Sequence, residues 1–195
     1  DFGMPVEEFV ENAQGTGGKV FVSFEFAEMP ALGNSQATAE VIRAAALGYW
    51  KAGVDGIPLF NPQVHTHYFR QDMPFLNEIG DPELLERLDK HYMVTRASNY
   101  DDVVPFSYPK QLPVVLKEEP SGSGHKIQIK VGDDLKEAAH SGKTPEVTLR
   151  LRVMNLTLKD EIEFRFNGVE LGEDICQSEF FPVGESGGLR QYSFM

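Results

Sequence analysis

The feature that most constrains this chain is a change of hydrophobic rhythm near residue 111. Before it, apolar residues gather in helical stripes and short dense runs; after it, they alternate one by one. Val147, Leu149, Leu151 and Val153 face Thr148, Arg150 and Arg152 across one such run, the period of a strand with one buried and one wetted side. One chain of 195 residues with two rhythms predicts two regions, α/β first and all-β second.

In the first region Val6, Phe9, Val10 and Ala13 recur at helical spacing behind Pro5, and Gly15-Thr16-Gly17-Gly18 stops the helix. Lys19 to Phe26 is apolar at nearly every position and predicts a strand buried on both faces. Ser35 is placed to cap a helix running through Ala37, Val41, Ala44, Ala45 and Leu47 to about Ala52, where Gly53 ends it. Val54 to Phe60 then reads as a second strand. Strand, helix and strand in these proportions predict a βαβ unit and a parallel sheet, with Pro58 as a local conflict because it removes one ladder donor. Asp81-Pro82-Glu83 opens a further helix with cap, N1 proline and first-turn acid. Its buried face is expected to be Leu84, Leu85, Leu88 and Tyr92, with Lys90 and His91 in the last turn.

The second region holds short strand-like runs at Leu112–Leu116, Lys126–Val131, Glu146–Val153, Glu161–Phe166 and Arg190–Phe194. Asn167-Gly168 is a hairpin signal between two of its runs, and Pro105, Pro109 and Pro113 mark a stiff junction. The expected division is an α/β segment over 1–104, a Pro-rich linker over 105–113 and an antiparallel β-sandwich over 114–195.

Charge and composition exclude several classes. Eighteen Lys and Arg against thirty Asp and Glu give a net charge of -12, a field that repels phosphate backbones and argues against nucleic acid as a partner. The longest apolar stretch, near Ala44 to Trp50, is far short of the roughly 20 residues that span a bilayer. The single Cys176 permits no intramolecular disulfide and no cysteine-based zinc cluster, and its acidic neighbours Glu173, Asp174 and Glu179 disfavour a thiolate. No Gly-x-Ser-x-Gly elbow or Walker-type loop is present, and Gly15-Thr16-Gly17-Gly18 precedes a strand instead of following one.

Two passages carry a family resemblance. The run from Ala44 through Gly53-Val54-Asp55-Gly56-Ile57-Pro58-Leu59-Phe60-Asn61, and the later Phe75-Leu76-Asn77-Glu78-Ile79-Gly80-Asp81-Pro82, resemble the closing helix and strand of bacterial glycoside-hydrolase-like (β/α)8-barrel (TIM-barrel) proteins with an appended β-sandwich. The resemblance implies that Val20 to Phe26 is the seventh barrel strand and Val54 to Phe60 the eighth. A full barrel takes about 250 residues, whereas about 110 precede the sandwich-like part. The expectation is therefore a C-terminal fragment, inactive by itself, from a protein for which a secreted or periplasmic location is favoured.

In such barrels reactive groups stand at the carboxyl ends of the strands. The resemblance therefore points to Glu25 as nucleophile, with Glu28 second. Retention of configuration needs two carboxyl groups about 5 Å apart, one ionised and one protonated, and the acid/base partner is not identifiable in this chain. A strand glutamate can equally be a lumen-lining or salt-bridged residue, and periodicity alone does not choose its face. Beyond the second strand, Asn61, His65, His67 and Tyr68 are candidate substrate-binding residues: amide and imidazoles for sugar hydroxyls, the aromatic ring for an apolar sugar face. The two histidines lack the HExxH pattern of a zinc site, so no metal and no cofactor are expected. The expected partner is a carbohydrate, with self-association through exposed barrel edges. The rival reading is a non-catalytic carbohydrate- or protein-binding module.

Overall fold

A computed structural model describes residues 4–25, 38–60, 74–94, 111–117, 124–142, 145–157, 160–183 and 187–195. The chain divides into two compact units, Asp1–Asp134 and Leu135–Met195. The first unit combines helices with a parallel strand pair; the second holds a short helix and small antiparallel sheets.

Unit 1 opens with α1, Val6–Gln14, which buries Val6 and Val10 and leaves Phe9 outside the stripe and largely exposed. Gly15 and Gly17, the latter at φ 70°, turn the chain out of the helix, and the Thr16 hydroxyl donates to the Ala13 carbonyl at 2.9 Å. Helix α2, Ala39–Ala52, is capped by Thr38, whose side chain accepts from the Val41 N–H. The expected cap, Ser35, lies outside the described residues. Gly53 ends α2 in the left-handed region at φ 89°, a conformation that glycine adopts without steric cost. Seven α2 residues are buried, so this helix is the centre of the unit: Val41, Ile42 and Leu47 are almost fully enclosed.

Two short strands flank α2 in sequence: β1, Phe24–Glu25, and β2, Leu59–Phe60. They pair in parallel, Phe24 with Leu59 and Glu25 with Phe60, with an isolated bridge from Phe21 to Gly56 in the same register. The expected βαβ connection is present, but the strands are shorter than the apolar runs that announce them. Pro58 supplies the reason. Val22 N–H donates to Gly56 O and Phe24 N–H to Pro58 O, both at 3.2 Å, and a parallel ladder would return a rung from the residue-58 N–H, which proline lacks. The Ser23 hydroxyl donates to the Pro58 carbonyl at 3.2 Å.

The strand is also not buried on both faces. Val22 and Phe24 are buried, the latter with its ring 5.6 Å from that of Tyr49, while Phe21 is 59 % exposed and Ser23 is open to solvent. One face meets the helix layer and the other is exposed at Phe21 and Ser23, so this expectation is corrected.

After a 3-10 turn at Pro74–Asn77, helix α3 spans only Pro82–Leu85. Asp81 caps it by accepting from Leu84 N–H at 3.0 Å with Pro82 in the first turn, as expected. The longer helix to Tyr92 is not formed and only Leu85 of its expected face is buried. Bonds from Arg87 to Leu84 and Leu88 to Leu85 tighten the chain into i to i−3 turns, and Lys90 reaches back to the carbonyls of Leu85 and Leu88 at 2.5 and 2.7 Å. A lysine that satisfies terminal carbonyls from beyond the helix closes it.

Residues 111–117 and 124–134 belong to unit 1 and contain no strand of a sheet, in contrast to the runs expected at Leu112–Leu116 and Lys126–Val131. The Gln111 side chain takes the place of a neighbouring strand: its amide nitrogen donates to Gln128 O at 2.7 Å and its oxygen accepts from Gln128 N–H at 2.5 Å.

Unit 2 begins with α4, Leu135–His140, and holds β3, Leu149–Met154; β4, Arg165–Phe166; β5, Val169–Glu170; β6, Cys176–Val183; and β7, Gly187–Phe194. The order β3-β7-β6 is antiparallel throughout, and β4-β5 is a separate hairpin. Asn167 at φ 51° and Gly168 at φ 85° form its turn, the conformation that the Asn-Gly pair predicts. In β3, Leu149, Leu151 and Val153 are half-buried and Arg150 and Arg152 exposed, as the alternation requires. Leu149 pairs with Phe194 and Leu151 with Tyr192; Phe164 packs on both aromatic rings, with centroids 5.4 and 4.8 Å away. Strand β6 was not expected, because its sequence lacks alternation and contains Pro182. Proline is tolerated there because β6 is the outer strand of this three-stranded sheet.

Candidate functional site

Parallel pairing brings the carboxyl ends of β1 and β2 side by side. Glu25 ends β1 and Phe60, its register partner, ends β2. Ser23 and Phe21, two and four residues earlier, lie on the face opposite the helix layer. Positions 56 and 58 occupy the corresponding row of the second strand. Gly56 lets the Phe21 ring lie close, since a Cβ there would stand 3.0 Å from it.

Glu28, Asn61, His65, His67 and Tyr68 lie outside the described residues. Asp55 secures the opposite end of the strand pair: its carboxylate accepts from Val20 N–H at 2.8 Å, its own N–H donates to Val20 O at 2.8 Å, and Lys19 stands 3.8 Å away.

The passage Phe75 to Pro82 has a supporting role. Arg43 grips Glu78 with two bonds, Nε to Oε2 at 2.6 Å and Nη2 to Oε1 at 3.1 Å, both side chains being nearly buried. Two helical turns later on α2, Trp50 Nε1 donates to Ile79 O at 2.7 Å. A planar guanidinium matches a carboxylate in this bidentate way and fixes orientation as well as distance. Phe75 and Ile79 enter the core beside α2. The motif therefore braces the helix that carries the two strands.

Burial pushes the Tyr49 phenol up to about 12, so it remains a neutral packing group. Glu40, in the first turn of α2, lies below the usual carboxylate range because of its backbone hydrogen bond and the Thr38 side chain, with smaller contributions from Arg43 and His91. In unit 2, burial and then the neighbouring Glu173 raise the Cys176 thiol, so it is kept from forming a nucleophilic thiolate. His125 and His140 are exposed. Among the described residues no three His, Cys, Asp or Glu side chains gather as a metal site, and no helix is long and apolar enough to cross a membrane.

One cluster escaped the sequence reading. Lys90, Tyr92 and Asp133 meet in unit 1, with Lys90 Nζ 3.1 Å from Asp133 Oδ1 and the Tyr92 hydroxyl donating to Asp133 Oδ2 at 2.9 Å. In the sequence Lys90 suits a helix-end charge, and nothing local marks Asp133, 41 residues from Tyr92. No protein-family model matches the chain, and no curated protein matches it.

Proposed function

We propose that this chain is the C-terminal part of a glycoside-hydrolase-like protein, two strands of a (β/α)8 barrel followed by a β-sandwich, and that Glu25 serves the parent as nucleophile. The observation that carries the reading is the backbone position of residue 25: last in β1 and level with the end of β2. In a closed barrel the side away from the helices is the lumen, and the carboxyl ends of the strands surround the substrate. Glu28, Asn61, His65, His67 and Tyr68 would contribute to the glycan site.

The chemistry is attack of the ionised Glu25 carboxylate on the anomeric carbon while a second, protonated carboxyl group gives its proton to the departing oxygen; water then releases the sugar. A single βαβ unit holds neither the whole pocket nor an identified acid, so the isolated chain is inactive.

The test begins with the reading frame on either side of the coding sequence. A continuous frame upstream for about 200 codons or more, as a whole barrel demands, supports the barrel origin. In that longer protein Glu25→Gln is expected to abolish hydrolysis of aryl glycosides while oligosaccharide binding persists. Retained hydrolysis removes Glu25 as nucleophile; binding without hydrolysis in the unsubstituted protein favours the binding module.

A further inference from the structure

Residues 124–134 have the alternation of a strand without the pairing of one. Ile127, Ile129 and Val131 share one side, yet all three remain more than one-third exposed, so this segment gains little from burial. It is attached to unit 1 at separate points: Gln111 on the Gln128 backbone, Lys130 on Glu7, Gly132 and Asp133. At Gly132 the chain crosses α2 so closely that a Cβ would stand 3.3 Å from Gly48 N and from the Tyr92 hydroxyl, and 3.4 Å from Leu47 Cγ.

The strongest attachment is at Asp133. The Lys90 side chain is only 5 % exposed and is held by the carbonyls of Leu85 and Leu88. Together with the Tyr92 hydroxyl it aims two donors at one carboxylate, each Asp133 oxygen taking one of them. A nearly buried ammonium without its counter-charge is costly, so this receptor favours the closed state.

We propose that residues 124–134 are a strap closed by an Asp133 latch, which opens as a unit and uncovers the Leu47–Gly48 turn of α2 while the core remains folded. The physical basis is the contrast in burial: the segment is tied at a few polar points, whereas the helix beneath it is enclosed, and such segments open well below the free energy of global unfolding. The proposal does not depend on the glycan reading.

Hydrogen exchange of the full chain, followed by mass spectrometry of peptides, tests it. Asp133→Ala is expected to speed exchange of the bonded strap amides, those of Gln128 and Gly132, at least tenfold while peptides from 39–52 keep their protection. An unchanged strap peptide shows that Asp133 does not hold it, and a parallel rise in 39–52 shows that the strap is part of the core; either result overturns the proposal. Should Asp133→Ala fail to fold, Tyr92→Phe decides the matter. It removes one hydroxyl from the latch, and about a threefold rise confined to the strap is expected; no rise, or a rise shared with α2, overturns the idea.

Discussion

The two units are held by different means. Unit 1 has short or irregular elements around a dense core: α2 is enclosed, β1 and β2 are two residues each, and α3 is a single turn. Unit 2 has the longer ladders, eight paired positions between β6 and β7, yet among its described residues only Tyr192 and Phe194 are buried. Backbone ladders can therefore specify a sheet whose side chains are mostly wet, while a well-filled core tolerates strands interrupted by proline. Regular secondary structure and dense packing are separate achievements of a sequence, and this chain distributes them unevenly.

The comparison can be broken most directly in the core of unit 1. Ile42→Ala is expected to cost about 2–5 kcal/mol through lost burial and an incompletely collapsed cavity. The chain has one tryptophan, Trp50, which lies in unit 1, so urea unfolding followed by its fluorescence reads that unit alone. A midpoint that does not move would mean that α2 is not the organising element. Glu78→Ala should cost about 2–3 kcal/mol by the same readout, because it strands the nearly buried Arg43 guanidinium. Glu78→Gln, which retains acceptor shape, should cost less; equal losses would argue that geometry matters little at this brace.

Alkaline titration sharpens the contrast between the units. Folding raises the Tyr49 phenol from about 10 to about 12, mainly through burial, and raises Tyr92 through burial and then the Asp133 charge. A raised pKa stabilises below the unfolded value and loses that contribution as pH rises through the folded one. Unit 1 should therefore weaken from pH 10 towards 12, measured as a falling urea midpoint of Trp50 fluorescence, whereas Tyr49→Phe should blunt the fall. A midpoint independent of pH over that range would show that neither phenol is held in its neutral form.

The smallest expected effect lies in unit 2. Gly168→Ala places a side chain at φ 85° and should cost about 1 kcal/mol, seen as loss of the β4-β5 cross-strand contacts by nuclear Overhauser spectroscopy. Trp50 fluorescence should not change. A shift of its unfolding midpoint would show that the two units unfold together.

Much of the local structure was legible because it rests on adjacent residues. Gly53 and Gly168 fall at positive φ, Asp81 caps α3, and the β3 alternation is that of its burial. The misreadings share one cause. Leu84 to Tyr92 has a helical stripe, but Lys90 reaches back to end the helix and Asp133 draws in Tyr92. Lys126 to Val131 has a strand pattern, but a glutamine side chain and a latch, not a strand, are what it meets. Of the candidate site, only the backbone place of Glu25 lies within the described residues.

By itself the sequence determined the two rhythms, the turns, the caps and the acidic field, since each follows from the intrinsic preferences of neighbouring residues. Tertiary structure decided which face of the run from Phe21 to Phe24 is exposed, where α3 stops, that Cys176 to Val183 is a strand, and where residues 124–134 are attached. Those outcomes depend on partners tens of residues away, Pro58 for Phe24, Glu78 for Arg43 and Asp133 for Lys90, whose energies enter only once the chain has brought them together.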